Sequence, residues 1–465
     1  MDSTNLSPRE ERRRSFILSG NLWGVVATIT FPLAVYAVFN YLYAFFDTIL
    51  AGRIGSDAVA SLLIFDDIKA VVSAIGIGIA AAGTVFVARH YGAGEYEEAR
   101  RHAGAMLWLS LVASTVFAIV VMVFWKPLLA VLSTPDEVVA SGLGYYLVQM
   151  ASTVVLAFNS VYMGVERAKG NTAMILALNV VAMLVKMALS AWFVLGLGFG
   201  MTAVAVATLI AQGLLSILAA VALFRRGNSI AVRARDVRYA KDYSLPIFRV
   251  ALPVIGGKML FSLGRVFVNA IGTAYGTSAL AAFSLAMKTG SAAGSLASVF
   301  EDPTTAITSQ NLGARKLRRA FSTWGVAMTL SALLGFAGVF VLTFFLEDFA
   351  LLFTGGDASL VPLVSTIFAW ERFSVVTSAV IVITAGFFLG FKITKVTFIL
   401  NLIRLFFLRI PTLLVALKLG VGPVAFGYAM FVSNTGTALI ALFMIALFHR
   451  RVKNFGYREM SLSDV

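Results

Sequence analysis

Residues 31–61 read FPLAVYAVFNYLYAFFDTILAGRIGSDAVAS, and this stretch decides the fold. It is long and apolar enough to cross a bilayer. Inside it lie Pro32, the amide of Asn40, and one carboxylate, Asp47, followed by Thr48. The design returns over residues 252–282, LPVIGGKMLFSLGRVFVNAIGTAYGTSALAA. Pro32 pairs with Pro253, Gly55 with Gly276 and Ala58 with Ala279, each 221 residues on, and Gly92-Ala93 pairs with Gly313-Ala314 at the same offset. The chain is therefore a tandem duplication. Its copies differ at one telling place: Val268 stands where the first copy has Asp47. A charge kept in a membrane helix is costly and points to function.

Composition agrees with a membrane protein. The chain has 465 residues, of which 59% are hydrophobic, against the 45–50% usual for soluble domains. Apolar runs of about 20 residues recur along its length, which leaves no sizeable soluble domain. The net charge of +14 sits mostly in short connections, so it reads as topology rather than nucleic-acid binding. With no cysteine there is no disulfide, thiol nucleophile or thiolate metal site. The three histidines, His90, His102 and His449, lie near loops and form no ligand cluster. The charged start, SPREERRRSF, precedes an apolar run too long for a signal peptide and lacking a small-residue cleavage site, so an uncleaved first helix is expected.

The pattern predicts twelve transmembrane helices, six per repeat, near 22–50, 59–88, 103–125, 139–165, 172–196, 201–224, 247–275, 279–310, 321–346, 361–388, 393–418 and 423–448. The fold class is an all-α polytopic membrane protein in two six-helix repeats. The expected organisation is an N-terminal segment 1–21, an N-lobe 22–224, a basic linker 225–246, a C-lobe 247–449 and a tail 450–465. Basic residues alternate between connections. Arg12 to Arg14, Arg100, Arg101, Arg167, Lys169, the linker, Arg315 to Arg319, Lys392, Lys395 and Arg450 to Lys453 mark one side. The other side carries Arg53, Lys126 and Lys418 beside Glu347, Asp348 and Asp357. Both termini and the linker are then cytoplasmic. An even number of helices per repeat relates the halves by an axis along the membrane normal. The basic linker either binds anionic lipid headgroups or simply holds topology.

A second population of charges lies inside the spans. Its acids are Asp47, Asp66, Asp67, Glu301, Asp302 and Glu371; its bases are Lys69, Lys186, Lys258, Arg265, Lys288, Arg372, Arg404 and Arg409. Each costs about 2.5–3.5 kcal/mol facing lipid. Together they argue for a water-filled cavity between the halves, although single members such as Glu371 and Arg372 could pair only to fix packing. Asp66 and Lys69 fall on one helical face, as do Lys258 and Arg265. Pro303 disfavours helix at Asp302, so a break is expected there beside two carboxylates. Pro32 interrupts the first helix before Asp47, as a static kink or as a bend that changes in transport.

These pieces resemble the multidrug and toxic compound extrusion (MATE) family. The resemblance rests on FNYLYAFFDTILAGRIGSDAVAS, ARHYGAGEYEEARR, NAIGTAYGTSALAAFSLAMK, SQNLGARKLRRAF and NLIRLFFLRIP, in order and duplicated from Phe31 to about Gly427. It implies an antiporter with an N-lobe and a C-lobe around a central cavity, and a cation-coupling site in the N-lobe. Asp47 falls on the family's first-helix acid, with Thr48, Gly52 and Gly55 also matching. The fifth helix departs from the pattern. Anchoring on Gly196 and Gly198 puts Lys186 at the family's Asn position and Ser190 at its Asp position, with Asn179 two turns earlier. An ammonium supplies no oxygen ligand and repels sodium. The coupling set is thus Asp47, Lys186, Asn40, Ser190 and Asn179, with protons favoured over Na+; the alternative is a permanent Asp47–Lys186 ion pair.

The expected function is secondary active export of amphipathic organic compounds by cation antiport with alternating access. The substrate cavity would be formed by Tyr36, Tyr43, Asp66, Asp67, Lys69, Lys258, Arg265, Lys288, Glu301, Asp302, Glu371 and Arg372, with Phe39, Met150, Met183, Met259 and Phe261 adding adaptable apolar surface. The alternative is a flippase or exporter of a lipid-linked or anionic amphiphile, suggested by the basic surplus in the spans. No selectivity-filter-like loop suggests a channel. No phosphate-binding GxxxxGK[ST] motif suggests ATP-driven transport or an enzyme. The expected setting is the plasma (inner) membrane, with membrane lipids and a small-molecule substrate as partners, no nucleic acid, no metal, no cofactor beyond the coupling ion, and a monomeric state.

Overall fold

The computed structural model describes residues 6–131, 136–225, 227–354 and 358–455. Helices dominate. The first, α1 (Pro8–Ser19), lies in the segment 1–21, expected only as a charged N-terminal segment. Ser7 caps it in a reciprocal box with Glu10, and Pro8 occupies the first helical position. Next come α2 (Leu22–Ile54), α3 (Ser56–Ala93), α4 (Tyr96–Val123), the short α5 (Trp125–Val131) and α6 (Asp136–Ala168). α7 (Thr172–Ala191) ends in a π-helical turn, Trp192–Gly196, and α8 (Met201–Phe224) leads into the linker. The second repeat runs α9 (Lys241–Gly272), α10 (Thr277–Ser298), α11 (Glu301–Gly313), α12 (Leu317–Phe344), α13 (Leu346–Thr354) and α14 (Val361–Gly390). α15 (Lys395–Leu402), a π-helical segment Ile403–Arg409, α16 (Ile410–Lys418) and α17 (Ala425–Phe455) complete it.

The duplication is visible in backbone detail. Gly55 and Gly276 precede α3 and α10 with φ of 150° and 96°, open turns that a side chain rarely adopts. Tyr96–Val123 and Leu317–Phe344 are the same helix 221 residues apart. The left-handed residues then shift by one. Gly94 matches Arg315 at 221, but Gly170 matches Lys392 and Gly198 matches Gly420 at 222. One extra residue therefore enters the second copy between Arg315 and Lys392.

By length and composition, eleven helices among the described residues can cross a membrane. They match every expected span but one, the eighth. The predicted eighth helix, 279–310, with a break expected at Asp302, is two helices, α10 and α11, separated by Val299 and Phe300. The break falls two to three residues before Asp302, because Pro303 is tolerated in a first turn where its missing N–H has no helical partner to lose. The sequence of α11, EDPTTAITSQNLG, is too polar for lipid, and Thr304, Thr305, Thr308, Ser309 and Gln310 are buried by protein instead. Pro32 and Pro253 lie within unbroken helices.

The chain divides into two compact units. The first comprises residues 1–21, 28–255 and 309–315; the second comprises 22–27, 256–308 and 316–465. In the first unit α3 packs along α6 and α4, and α8 along α6 and α7. Gly76 permits the α3–α6 approach: a Cβ there would stand 2.7 Å from the Ala157 Cβ. Its core gathers Leu50, Leu62, Phe65, Tyr145, Tyr146 and Met150. In the second unit α14 packs on α17 and α10, around Phe283, Phe368, Phe426 and Leu413. Large apolar side chains such as Phe31, Val116, Phe344 and Val415 lie exposed on the helices, as a bilayer would require.

Candidate functional site: a buried ion pair in the first unit

α7 buries Thr172, Ile175, Asn179, Ala182, Lys186 and Ser190, spaced three and four apart along one face. Four of those six residues are polar, which is unusual for a stripe packed inside a membrane protein. α2 supplies the opposing residues. Tyr36, Asn40, Tyr43 and Asp47 share one face of it at the same spacing.

The two faces meet at a single charge pair. The Lys186 ammonium donates to Asp47 Oδ1 in an ion pair whose members are 1% and 13% exposed. The Tyr43 ring, one turn before Asp47, lies with its centroid 4.1 Å from Lys186 Nζ. The lysine is thus held by a carboxylate and a π face. A desolvated cation–π contact contributes about 2 kcal/mol. The pair is neutral as a unit, which lowers the cost of burying either charge. Protonation of Asp47 would leave a buried ammonium with the ring alone for a partner.

The other residues assigned to coupling do not complete an oxygen cage. Ser190 Oγ, one turn after Lys186, is buried and makes no hydrogen bond. Asn179 Nδ2 donates to its own helix at Ile175 O, 2.8 Å, and lies 3.7 Å from Met163 Sδ. Asn40 is exposed, and Thr48 Oγ1 donates back to Ala44 O at 3.1 Å. Tyr43, placed by its sequence among substrate contacts, stands instead against the pair.

The residues assigned to a substrate cavity are distributed over both units. In the first, Asp66 accepts from the Tyr145 hydroxyl at 3.4 Å, and that hydroxyl accepts from Gln149 Nε2 at 3.0 Å. Asp66 and Asp67 point away from the face that buries Phe65 and Ile68, and Lys69 is half-buried. Tyr145 reaches the Asp66 carboxylate across from α6, and Lys69, one turn on, is that carboxylate's electrostatic neighbour. Tyr36 is half-buried on the α2 face. In the second unit Lys258, Lys288, Glu301, Asp302 and Arg372 are half-buried and Arg265 is exposed. Glu371 is buried and does not bond its sequence neighbour Arg372, which faces the Phe373 ring at 5.2 Å. Adjacent helical residues point about 100° apart. Glu371 lies over Gly290, with Arg409 as its electrostatic neighbour.

A polar network in the second unit has no counterpart among the assigned site residues. Arg404 and Arg409 project from the π-helical segment and are both buried. Asn434 Oδ1 accepts from Arg404 Nε at 2.6 Å and from Arg409 Nη2 at 3.0 Å; Ser433 Oγ accepts from Arg409 Nε at 3.1 Å and Ser378 Oγ from Arg404 Nη2 at 3.3 Å. The signal was present, since two arginines in an apolar run need acceptors. Its partner on α17, Asn434, could not be chosen from spacing.

Sequence comparison matches the MatE family model to residues 32–192 and 253–415, one copy in each repeat. A curated relative, the probable multidrug resistance protein YoeA of Bacillus subtilis (strain 168), is 22% identical over 323 residues, covering 68% of this chain and 70% of that protein. Among solved structures, a MOP superfamily transporter from Pyrococcus furiosus Vc1, described as having a binding pocket of reverse polarity, superposes with a TM-score of 0.90 at 20% identity, over 97% of this chain and 99% of that one. The outward-facing structure of a multidrug resistance MATE family transporter of the same superfamily gives 0.90 at 20% identity, over 97% and 100%. At this identity the likeness to solved structures shows a shared fold.

Proposed function

The chain belongs to the MatE family of membrane transporters, and from that premise we propose that it exports amphipathic organic compounds by proton antiport with alternating access. The observation that carries this reading is the Asp47–Lys186 ion pair against Tyr43. A proton arriving on Asp47 removes the lysine's counter-charge, and an unpaired ammonium in a membrane interior is costly. The cost favours a rearrangement of α2 against α7 that takes Lys186 toward water. Loss of the proton restores the carboxylate and recaptures the lysine. The two protonation states thereby bias two conformations, as a coupling ion must. Sodium fits this site poorly, since an ammonium occupies the place of an oxygen ligand and Ser190 supplies a hydroxyl where a carboxylate is wanted.

In this proposal the remaining charged and aromatic residues of the spans handle substrate, the protein works as a monomer in the plasma membrane, and both termini are cytoplasmic. Proteoliposomes with an imposed pH gradient provide the test. Substrate-driven proton flux is expected in wild type and absent in Asp47→Asn. Equal transport by the two proteins sinks the coupling role, and sodium-driven transport without a pH gradient sinks the proton preference.

A second reading, transport of an anionic amphiphile, is favoured by the buried Arg404 and Arg409 around Asn434. Guanidinium groups match carboxylate and phosphate geometry. Competition between a cationic dye and an anionic amphiphile for the same transport activity separates the two readings.

A further inference from the structure

The linker after α8 is docked on the first unit. A short 3₁₀ turn, Ala234–Asp236, packs against α4 near that helix's start. Arg100, 3% exposed, fastens it: Nε donates to Asp236 Oδ2 at 3.1 Å, and the same guanidinium pairs with Glu97. The Tyr239 ring lies 5.5 Å from that of Trp108, and the Tyr243 hydroxyl accepts from Arg101 at 3.0 Å. Between linker and helix remains a cleft of about 460 Å³, lined by Arg101, Ala105, Arg235, Arg238, Tyr243 and the two carboxylates that Arg100 engages. Arg235 and Arg238 are exposed into it, and among the described residues neither has a carboxylate partner.

The cleft continues into an apolar track. At 100° per residue, Arg101, Ala105, Trp108, Val112, Val116 and Ile119 fall within an arc of about 80° on α4. Val112, Val116 and Ile119 are 41%, 58% and 55% exposed. One helix face thus begins with guanidinium groups, passes a tryptophan of the kind found at headgroup level, and runs as bare aliphatic surface into the span Tyr96–Val123. That order of chemistry is the order within a phospholipid.

We propose that this cleft binds the phosphodiester headgroup of an anionic glycerophospholipid, with an acyl chain along Val112, Val116 and Ile119, and that the lipid pins the linker to α4. Arg235, Arg238 and Arg101 supply the donors that phosphate oxygens accept. The inference does not depend on the coupling ion or substrate.

Native mass spectrometry of the purified full chain, titrated with phosphatidylglycerol or phosphatidylcholine, tests it. Wild type is expected to retain phosphatidylglycerol preferentially. Arg235→Gln with Arg238→Gln should weaken that retention roughly 25-fold, about fivefold per guanidinium near an anionic headgroup. The control Arg450→Gln with Arg451→Gln removes the same charge from exposed positions elsewhere and should change nothing. Excess inorganic phosphate should not displace the lipid. Hydrogen exchange over residues 232–243 should slow with phosphatidylglycerol in wild type only. Equal losses in the two double variants, equal retention of both lipids, displacement by inorganic phosphate, or linker exchange indifferent to lipid would each overturn the proposal.

Discussion

At the scale of single residues, the Asp47–Lys186 pair is notable for what replaces it in the second repeat. The equivalent positions, 221 and 222 residues on, hold Val268 and Leu408, so both charges are absent together. This gives a double-mutant prediction. Lys186→Leu or Asp47→Val alone leaves an uncompensated buried charge and should cost about 3–5 kcal/mol. The pair Asp47→Val, Lys186→Leu should recover most of that loss, read as thermal unfolding in detergent, because it removes both charges together and leaves the apolar residue types that the other repeat carries there. Proton-coupled transport should be lost in all three variants, which separates coupling from stability. Lys186 and Ser190 were legible as a departure from an oxygen-rich site. That Tyr43 closes over the ammonium was not, since its ring is placed by the packing of α2 on α7.

Individual helices show where local signals suffice. Ser7-Pro8-Arg9-Glu10 is a complete helix-start signature, and α1 was legible from it although the segment reads by composition only as a charged start. Its docking was not. Arg14 donates to Tyr91 O at 3.1 Å and Gly92 O at 2.7 Å, and Ser229 Oγ donates to Glu10 Oε1 at 2.8 Å. Burial pushes the Glu10 carboxyl up, but the Ser229 and Ser7 donors outweigh it and hold the group below its ordinary value of 4.5. A lowered pKa in the folded state stabilises α1 docking above the unfolded pKa, and the benefit is lost as pH falls through the folded value. Glu10→Gln should therefore loosen α1 by ~1 kcal/mol at pH 7, seen as faster hydrogen exchange over residues 8–19. The difference from wild type should shrink as pH falls below 4.5 and vanish once Glu10 is protonated in the folded state. The glycine turns give a second contrast. Nothing crowds a Cβ at Gly276 or at Gly325, but Gly276 has φ of 96° whereas Gly325 lies within α12. Gly276→Ala should cost about 1–3 kcal/mol, and Gly325→Ala should gain roughly 0.5–1 kcal/mol, both measured by thermal unfolding.

For the whole molecule, the alternation of basic and poor connections predicts sidedness. The natural absence of cysteine makes the measurement clean. Arg225→Cys and Lys418→Cys place single thiols at exposed connections from the two sets. A membrane-impermeant maleimide should label Lys418→Cys in intact cells and Arg225→Cys only after permeabilisation; labelling of Arg225→Cys in intact cells would reverse the assigned orientation. The place where the eighth helix breaks was the least legible feature at this scale. Residues 279–310 carry enough apolar side chains to suggest one helix, yet the polar run from Glu301 onward is buried by protein rather than lipid. Hydropathy cannot tell those two solvents apart when they alternate within one segment.

Sequence by itself determined that this protein lives in a membrane, that it is helical and duplicated, and which helices carry charges they must account for. Those are properties of composition, period and spacing, each local in the chain. Tertiary structure alone decided which charges meet. Lys186 finds Asp47 across 139 positions, Arg404 and Arg409 share Asn434, and Asp66 takes a hydrogen bond from Tyr145 across 79 positions. Burying a polar group without a partner is costly, so partners are settled by which helix faces pack together, and helical period fixes the faces but not their neighbours.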